Sequence, residues 1–209
     1  SEITNIPTEA SHNSQKSLVL NLEAEIHKNF IDQEKAVKVV SDTLRRSLAH
    51  LRDEKKPIGS FLFVGPTGVG KTELAKRLME VYFREQGNFF RLDMSEYQTR
   101  ESINRLIGQA GEEGLLTEEV NSKPYSLILL DEFEKADSKL VTLFLQVLDD
   151  GRLTSGSGKL VDFSQTIIIA TSNVAALQIA QGLKQGQTLE QLEPQVQLEL
   201  LKVFQPELI

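Results

Sequence analysis

The stretch Ser60 to Thr72, Ser-Phe-Leu-Phe-Val-Gly-Pro-Thr-Gly-Val-Gly-Lys-Thr, constrains this chain more than any other. Phe61 to Val64 is a short apolar run bounded by turn residues, the pattern of a buried strand. Gly65 to Thr72 then fits the phosphate-loop spacing G-x-x-x-x-G-K-T. Downstream, Leu74, Ala75, Leu78, Met79 and Tyr82 recur at helical spacing. A strand, a glycine-rich loop and a helix in that order form an α/β unit suited to an anion. Gly65, Gly68 and Gly70 let the backbone curl with its N–H groups turned inward. The helix N-terminus adds unpaired donors and the positive end of a dipole. Lys71 would reach the β- and γ-phosphates of ATP or the β-phosphate of ADP, and the Thr72 hydroxyl would hold Mg²⁺. Pro66, Thr67, Val69 and Glu73 complete the nucleotide-binding stretch.

Composition narrows the remaining classes. With 209 residues there is room for one domain with a substantial core, or one domain and a tail. The net charge of −7 supplies no basic field, so nucleic acid is not the expected partner. The chain has no cysteine, which removes disulfides and thiolate chemistry. His12, His27 and His50 show no metal-ligand spacing. No apolar run approaches membrane-spanning length and the polar N-terminus lacks a signal-peptide core, so the expected location is cytoplasmic, without a membrane partner.

Residues 1–17 are polar and read as an arm or linker. Leu18 to Lys28 has the spacing of a short helix, Phe30-Ile31 is an apolar break, and Asp32 is a candidate N-cap. Val37, Val40, Leu44, Leu48 and Leu51 then step by three and four, as a helix face does. Phe89 to Asp93 reads as a second strand, followed by a capping box from Ser95 to Gln98. A helical piece is expected over Ser102 to Ile107, a glycine-containing loop over Gly108 to Gly114, and a short helix over Thr117 to Asn121.

Tyr125 to Leu130 is a continuously apolar strand, the kind covered on both faces. It runs into Asp131-Glu132. Two acids there either cap the next helix or do chemistry: Asp131 in the Mg²⁺ shell and Glu132 polarising the attacking water. Asp137 to Asp150 has an N-cap, a buried stripe and a Gly151 stop. Arg152 to Phe163 reads as a hairpin. Thr166 to Ala170 is a further strand leading to Asn173, either a turn residue or a polar group aimed at a γ-phosphate. In the last segment Gly182 and Gly186 are expected to break helices. Leu189 to Phe204 is amphipathic but interrupted by Pro194, with Leu198, Leu201 and Val203 docking it. Alternating strands and helices imply a mostly parallel sheet sandwiched between helices. Its ligand site would lie at the strands' carboxyl ends, where Gly65, Asp131 and Asn173 converge.

These residues also resemble a known family. GPTGVGKTELAK (65–76), RLDMSEY (91–97), RLIG (105–108), PYSLILLDEFEKA (124–136), LQVLDDGRLT (145–154), VDFSQTIIIATSN (161–173) and KVFQPEL (202–208) are similar to the ATPase module of Clp-type AAA+ protein unfoldases, nearest to the second ATPase domain of the two-ring disaggregases. The arm's Thr4-Asn5-Ile6-Pro7 resembles the T-G-I-P that precedes that domain. The resemblance implies an AAA+ P-loop NTPase large subdomain over residues 18–209, without the small helical subdomain, hydrolysing ATP in a homo-hexameric ring that acts on protein substrates or adaptors. It assigns Lys71 and Thr72 to Walker A, Asp131 and Glu132 to Walker B, and Asn173 to sensor 1. Phe30 and Ile31 match the segment whose backbone holds adenine, with Asp32 where a glycine is usual.

Two departures bear on function. Gln109 to Leu115 stands where the family carries a longer loop with an aromatic–glycine tract that grips the substrate chain. The family's arginine finger, last strand and sensor-2 arginine would fall beyond Ile209, so slow hydrolysis by this chain alone and an uncovered sheet edge are expected. A rival reading is a nucleotide-gated assembly or adaptor module that does not thread its partner. A nucleic-acid motor is a third, disfavoured by the acidic balance.

Overall fold

The computed structural model describes residues 34–66, 70–83 and 87–208, in which strands and helices alternate. Helix α1 (Glu34–Leu48) leads to β1 (Gly59–Val64), α2 (Lys71–Phe83), β2 (Asn88–Asp93) and α3 (Arg100–Ile107). A short hairpin of β3 (Gly108–Gln109) and β4 (Glu112–Glu113) follows, then α4 (Leu115–Ser122), β5 (Ser126–Asp131) and α5 (Ser138–Asp150). A second hairpin, β6 (Arg152–Thr154) with β7 (Leu160–Asp162), precedes β8 (Ile167–Ser172), α6 (Ala176–Lys184) and α7 (Leu189–Leu200).

Four strands form one parallel sheet in the order β1-β8-β5-β2. Alternation along each strand explains the unbroken apolar runs Leu127 to Leu130 and Ile167 to Ala170 of the two central ones. Leu127, Leu129, Ile167 and Ile169 face Val37, Val40 and Leu44 of α1 and Leu74, Ala75 and Leu78 of α2. Ile128, Leu130, Ile168 and Ala170 face the other layer, which includes Leu106, Leu116, Phe144 and Phe163. A strand buried on both faces has no position for a polar side chain until it emerges at its carboxyl end. The expected α/β sandwich is the observed fold. Among the described residues β1 is an outer strand, and an apolar recess of about 80 Å³ lies beside it between Phe61, Phe133, Phe204 and Leu208.

Several local expectations are corrected. Leu51 lies past the end of α1 and is exposed, because the helix stops at Leu48. The capping box is not Ser95 to Gln98. Asp93 caps a 3₁₀ turn over Met94–Glu96, and Thr99 with Ser102 forms the box that starts α3. The 108–114 stretch is a paired hairpin rather than an open loop. Gly182 sits inside α6, where the absence of a side chain admits Leu192 of α7. Pro194 lies inside a continuous α7, whose buried residues are Leu192 and Leu200; Leu198, Leu201 and Val203 are exposed. The expected N-cap at Asp32, the helix over Leu18–Lys28 and the arm over residues 1–17 fall outside the described residues.

Candidate functional site

Parallel order brings the carboxyl ends of β1, β8 and β5 side by side, and the sequence puts its polar residues there. Gly65 ends β1 with its N–H donating to the Ser172 carbonyl at 3.1 Å, which pins the start of the loop to β8. Gly65 and Gly70 have φ of 150° and 86°, conformations that L side chains avoid. Gly70 also accepts the first helical hydrogen bond of α2, from Leu74. Thr72 is partly buried in the first turn of α2, Glu73 is exposed beside it, and Pro66 is partly buried before the loop. Thr67, Gly68 and Val69, together with Phe30 and Ile31, lie outside the described residues.

The Lys71 ammonium donates to the Gly65 carbonyl at 2.5 Å and to Asn173 Oδ1 at 3.1 Å, with the Pro66 and Ser172 carbonyls at 3.4 Å. An ammonium turned toward four oxygens is a cation poised to take stronger anionic partners. Burial pushes its pKa below the ordinary lysine value, while Asp131, Glu134 and Glu132 pull it back up. Asn173 thus meets Lys71 through its carbonyl oxygen, and its Nδ2 donates to Glu132 Oε1 at 3.4 Å. Residues that are separate in sequence, 71, 132 and 173, form one polar chain.

Asp131 and Glu132 differ in how they are held. Asp131 accepts from the Arg91 guanidinium of β2 at 2.6 Å on Oδ2, and from the Thr171 hydroxyl on Oδ1. Glu132 has φ 56° and ψ 49°, a left-handed conformation unusual for a side chain of this length. Its carboxylate accepts from Lys135 at 2.5 Å, and that hydrogen bond raises the Lys135 pKa above its ordinary value. Glu134 accepts the Asn173 backbone N–H at 3.0 Å, while its second carboxylate oxygen is buried without a hydrogen-bond partner.

The sequence-derived candidates Gly65, Gly70, Lys71, Asp131, Glu132 and Asn173 therefore meet at one sheet edge. Arg91, Thr171, Glu134 and Lys135 were not singled out from the sequence. Arg91 did carry a signal, a lone charge in an apolar strand two residues before Asp93. Its partner became visible only once β2 was seen to lie next to β5.

The residues fit MgATP or MgADP. The start of α2 at Lys71 supplies donors for phosphates, and the partly buried carboxylate and hydroxyl of Asp131 and Thr72 are hard oxygen ligands. Among the described residues no group of three or more His, Cys, Asp or Glu side chains forms a cage that could hold a metal ion. Also among the described residues, no helix is long and apolar enough to cross a membrane.

Residues 56–209 match the family model described as AAA domain (Cdc48 subfamily). The chain is 46% identical over 212 residues to the chaperone protein ClpB of Meiothermus ruber, an alignment covering 99% of this chain and 25% of that protein. It is 52% identical over 182 residues to ClpB of Aquifex aeolicus (strain VF5), covering 84% of this chain and 18% of that protein. It is 48% identical over 179 residues to the probable chaperone protein ClpB 1 of Chlorobaculum tepidum, covering 83% of this chain and 41% of the relative. The chain thus spans about a quarter of the first of these relatives and less than a fifth of the second. Family match over most of the chain, identity to these relatives and a parallel sheet flanked by helices lead to one assignment: the chain belongs to the AAA domain family.

Proposed function

We propose that this chain binds MgATP and hydrolyses it to ADP and phosphate, as the ATPase core of a Clp-like machine that remodels proteins in a homo-hexameric ring. The observation that carries the reading is the continuous polar chain Lys71–Asn173–Glu132 at the carboxyl ends of β1, β8 and β5. Lys71 exchanges its backbone carbonyl partners for phosphate oxygens, which bind the ammonium more strongly because they are charged. Thr72 and Asp131 hold Mg²⁺, whose chemistry is to neutralise charge on the phosphates. Glu132 orients and deprotonates the attacking water, and Asn173 and Lys135 fix its two carboxylate oxygens. Gly65 to Glu73 wrap the phosphates, and Phe30 and Ile31 hold the base.

Lys71→Ala is expected to weaken binding of a fluorescent ATP analogue by at least about tenfold, the loss of a charge-assisted contact. Glu132→Gln is expected to keep that affinity and lower phosphate release by about 10²–10⁴, the range for losing a general base. Unchanged nucleotide affinity in Lys71→Ala would end this reading.

The hairpin of β3 and β4 favours a second reading. It is closed, has two glutamates on β4, and has no aromatic residue between Gly108 and Gly114. A nucleotide-gated assembly or adaptor module that does not thread its partner would be built this way. Turnover stimulated by an unfolded polypeptide, with translocation of a tagged substrate, would exclude it.

A further inference from the structure

The ladder between β5 and β8 stops at Leu130 and Ala170, just before the residues of the site. Beyond that point side-chain hydrogen bonds take over, supplied by Thr171 from one side and Glu134 from the other. Thr171, on the β8 side, donates its hydroxyl proton to Asp131 Oδ1 and accepts the Glu132 backbone N–H at 3.2 Å. Glu134, on the β5 side, accepts the backbone N–H of Asn173. Thr171 is 1% exposed, so no bulk water competes for its hydroxyl. A hydroxyl has one proton and two lone pairs. With its proton committed to Asp131, a lone pair faces the Glu132 amide, and one oxygen orders two consecutive residues.

The bonded amide belongs to Glu132, the residue with left-handed backbone. The Thr171 oxygen holds that amide in the orientation that goes with the left-handed backbone, and from this backbone the Glu132 carboxylate meets Asn173 Nδ2. Holding that amide and Asp131 together therefore fixes the metal-holding acid and the water-activating acid relative to each other. Neither Thr171 nor Glu134 needs to touch nucleotide to do this.

We propose that Thr171 is a positioning residue for hydrolysis, setting Asp131 and Glu132 as one unit, with Glu134 performing the reciprocal service for Asn173. The inference rests on the ATPase reading given above. The test compares the unaltered chain with Thr171→Val, which keeps the shape and removes the hydroxyl, and Thr171→Ser, which restores it. A fluorescent ADP analogue is titrated in EDTA and in Mg²⁺, phosphate release is followed from ATP, and circular dichroism confirms the fold. Thr171→Val is expected to match the unaltered chain in EDTA. It should lose Mg²⁺-dependent affinity and turnover by about tenfold to a hundredfold, the range for removing an outer partner of a metal-held group. Thr171→Ser should recover most of both. Folded Thr171→Val with undiminished Mg²⁺ dependence and turnover overturns the proposal, as does Thr171→Ser failing as badly as Thr171→Val. An unaltered chain that takes up no nucleotide overturns the ATPase reading itself, and this inference with it.

Discussion

At the scale of single residues, the site is a set of charges whose neighbours decide their state. Asp93 ends β2 opposite Asp131 and is held below the ordinary carboxylate pKa by the Ser95 hydroxyl, then by the Ser95 amide and by Arg91 and Lys135. Burial opposes this, second in size only to the Ser95 hydroxyl. A carboxyl whose folded pKa is depressed contributes stability above its unfolded value of about 4 and loses it as pH falls through the lower folded value. Ser95→Ala is therefore expected to move the Asp93 titration upward toward the ordinary value in carboxyl NMR, and to reduce the loss of stability between neutral pH and strong acid. An unmoved titration would mean that the Ser95 hydroxyl is not the main cause. Lys71, Asp131 and Glu132 could be named from spacing alone because a phosphate loop and an acid pair are local patterns. Thr171 and Arg91 could not, since their roles depend on which strand lies alongside.

At the scale of elements, the two hairpins are docked on each other rather than standing free. The Gly156 amide donates to the Ile107 carbonyl at 3.0 Å, and Lys159 pairs with Glu113. A Cβ on Gly156 would lie 1.9 Å from the Gly108 carbonyl oxygen, a backbone atom that no side-chain adjustment can clear. Gly156→Ala is expected to lower stability by about 1–3 kcal/mol in urea unfolding, the usual cost of overpacking. A change within a few tenths would show that the hairpins separate in solution. The tail shows where reading by element fails. Leu192, Val196, Leu200 and Phe204 step by four and pack inward, whereas the eye is drawn to the neighbouring Leu198, Leu201 and Val203. Pro194 adds to the error: it lacks an N–H, yet packing of the helix face keeps α7 continuous around it.

For the whole molecule, the sandwich was legible because its central strands carry unbroken apolar runs, and only burial on both faces makes that favourable. Strand order was not, since nothing local in a strand names its neighbour. The site depends on both: chemistry from the local motifs, and convergence from β8 lying between β1 and β5. The backbone at Glu132 has a consequence for how such a chain persists. A left-handed non-glycine residue costs about 1 kcal/mol, and the ion pair with Lys135 that accompanies it lies partly in solvent, where screening weakens it. Glu132→Asn, which tolerates that conformation better, is expected to raise thermal stability by about 0.5 kcal/mol while abolishing turnover. A fall in melting temperature would show that the pair outweighs the strain. A lineage released from hydrolysing nucleotide, and judged only on folding, would find this glutamate among the easiest residues to replace.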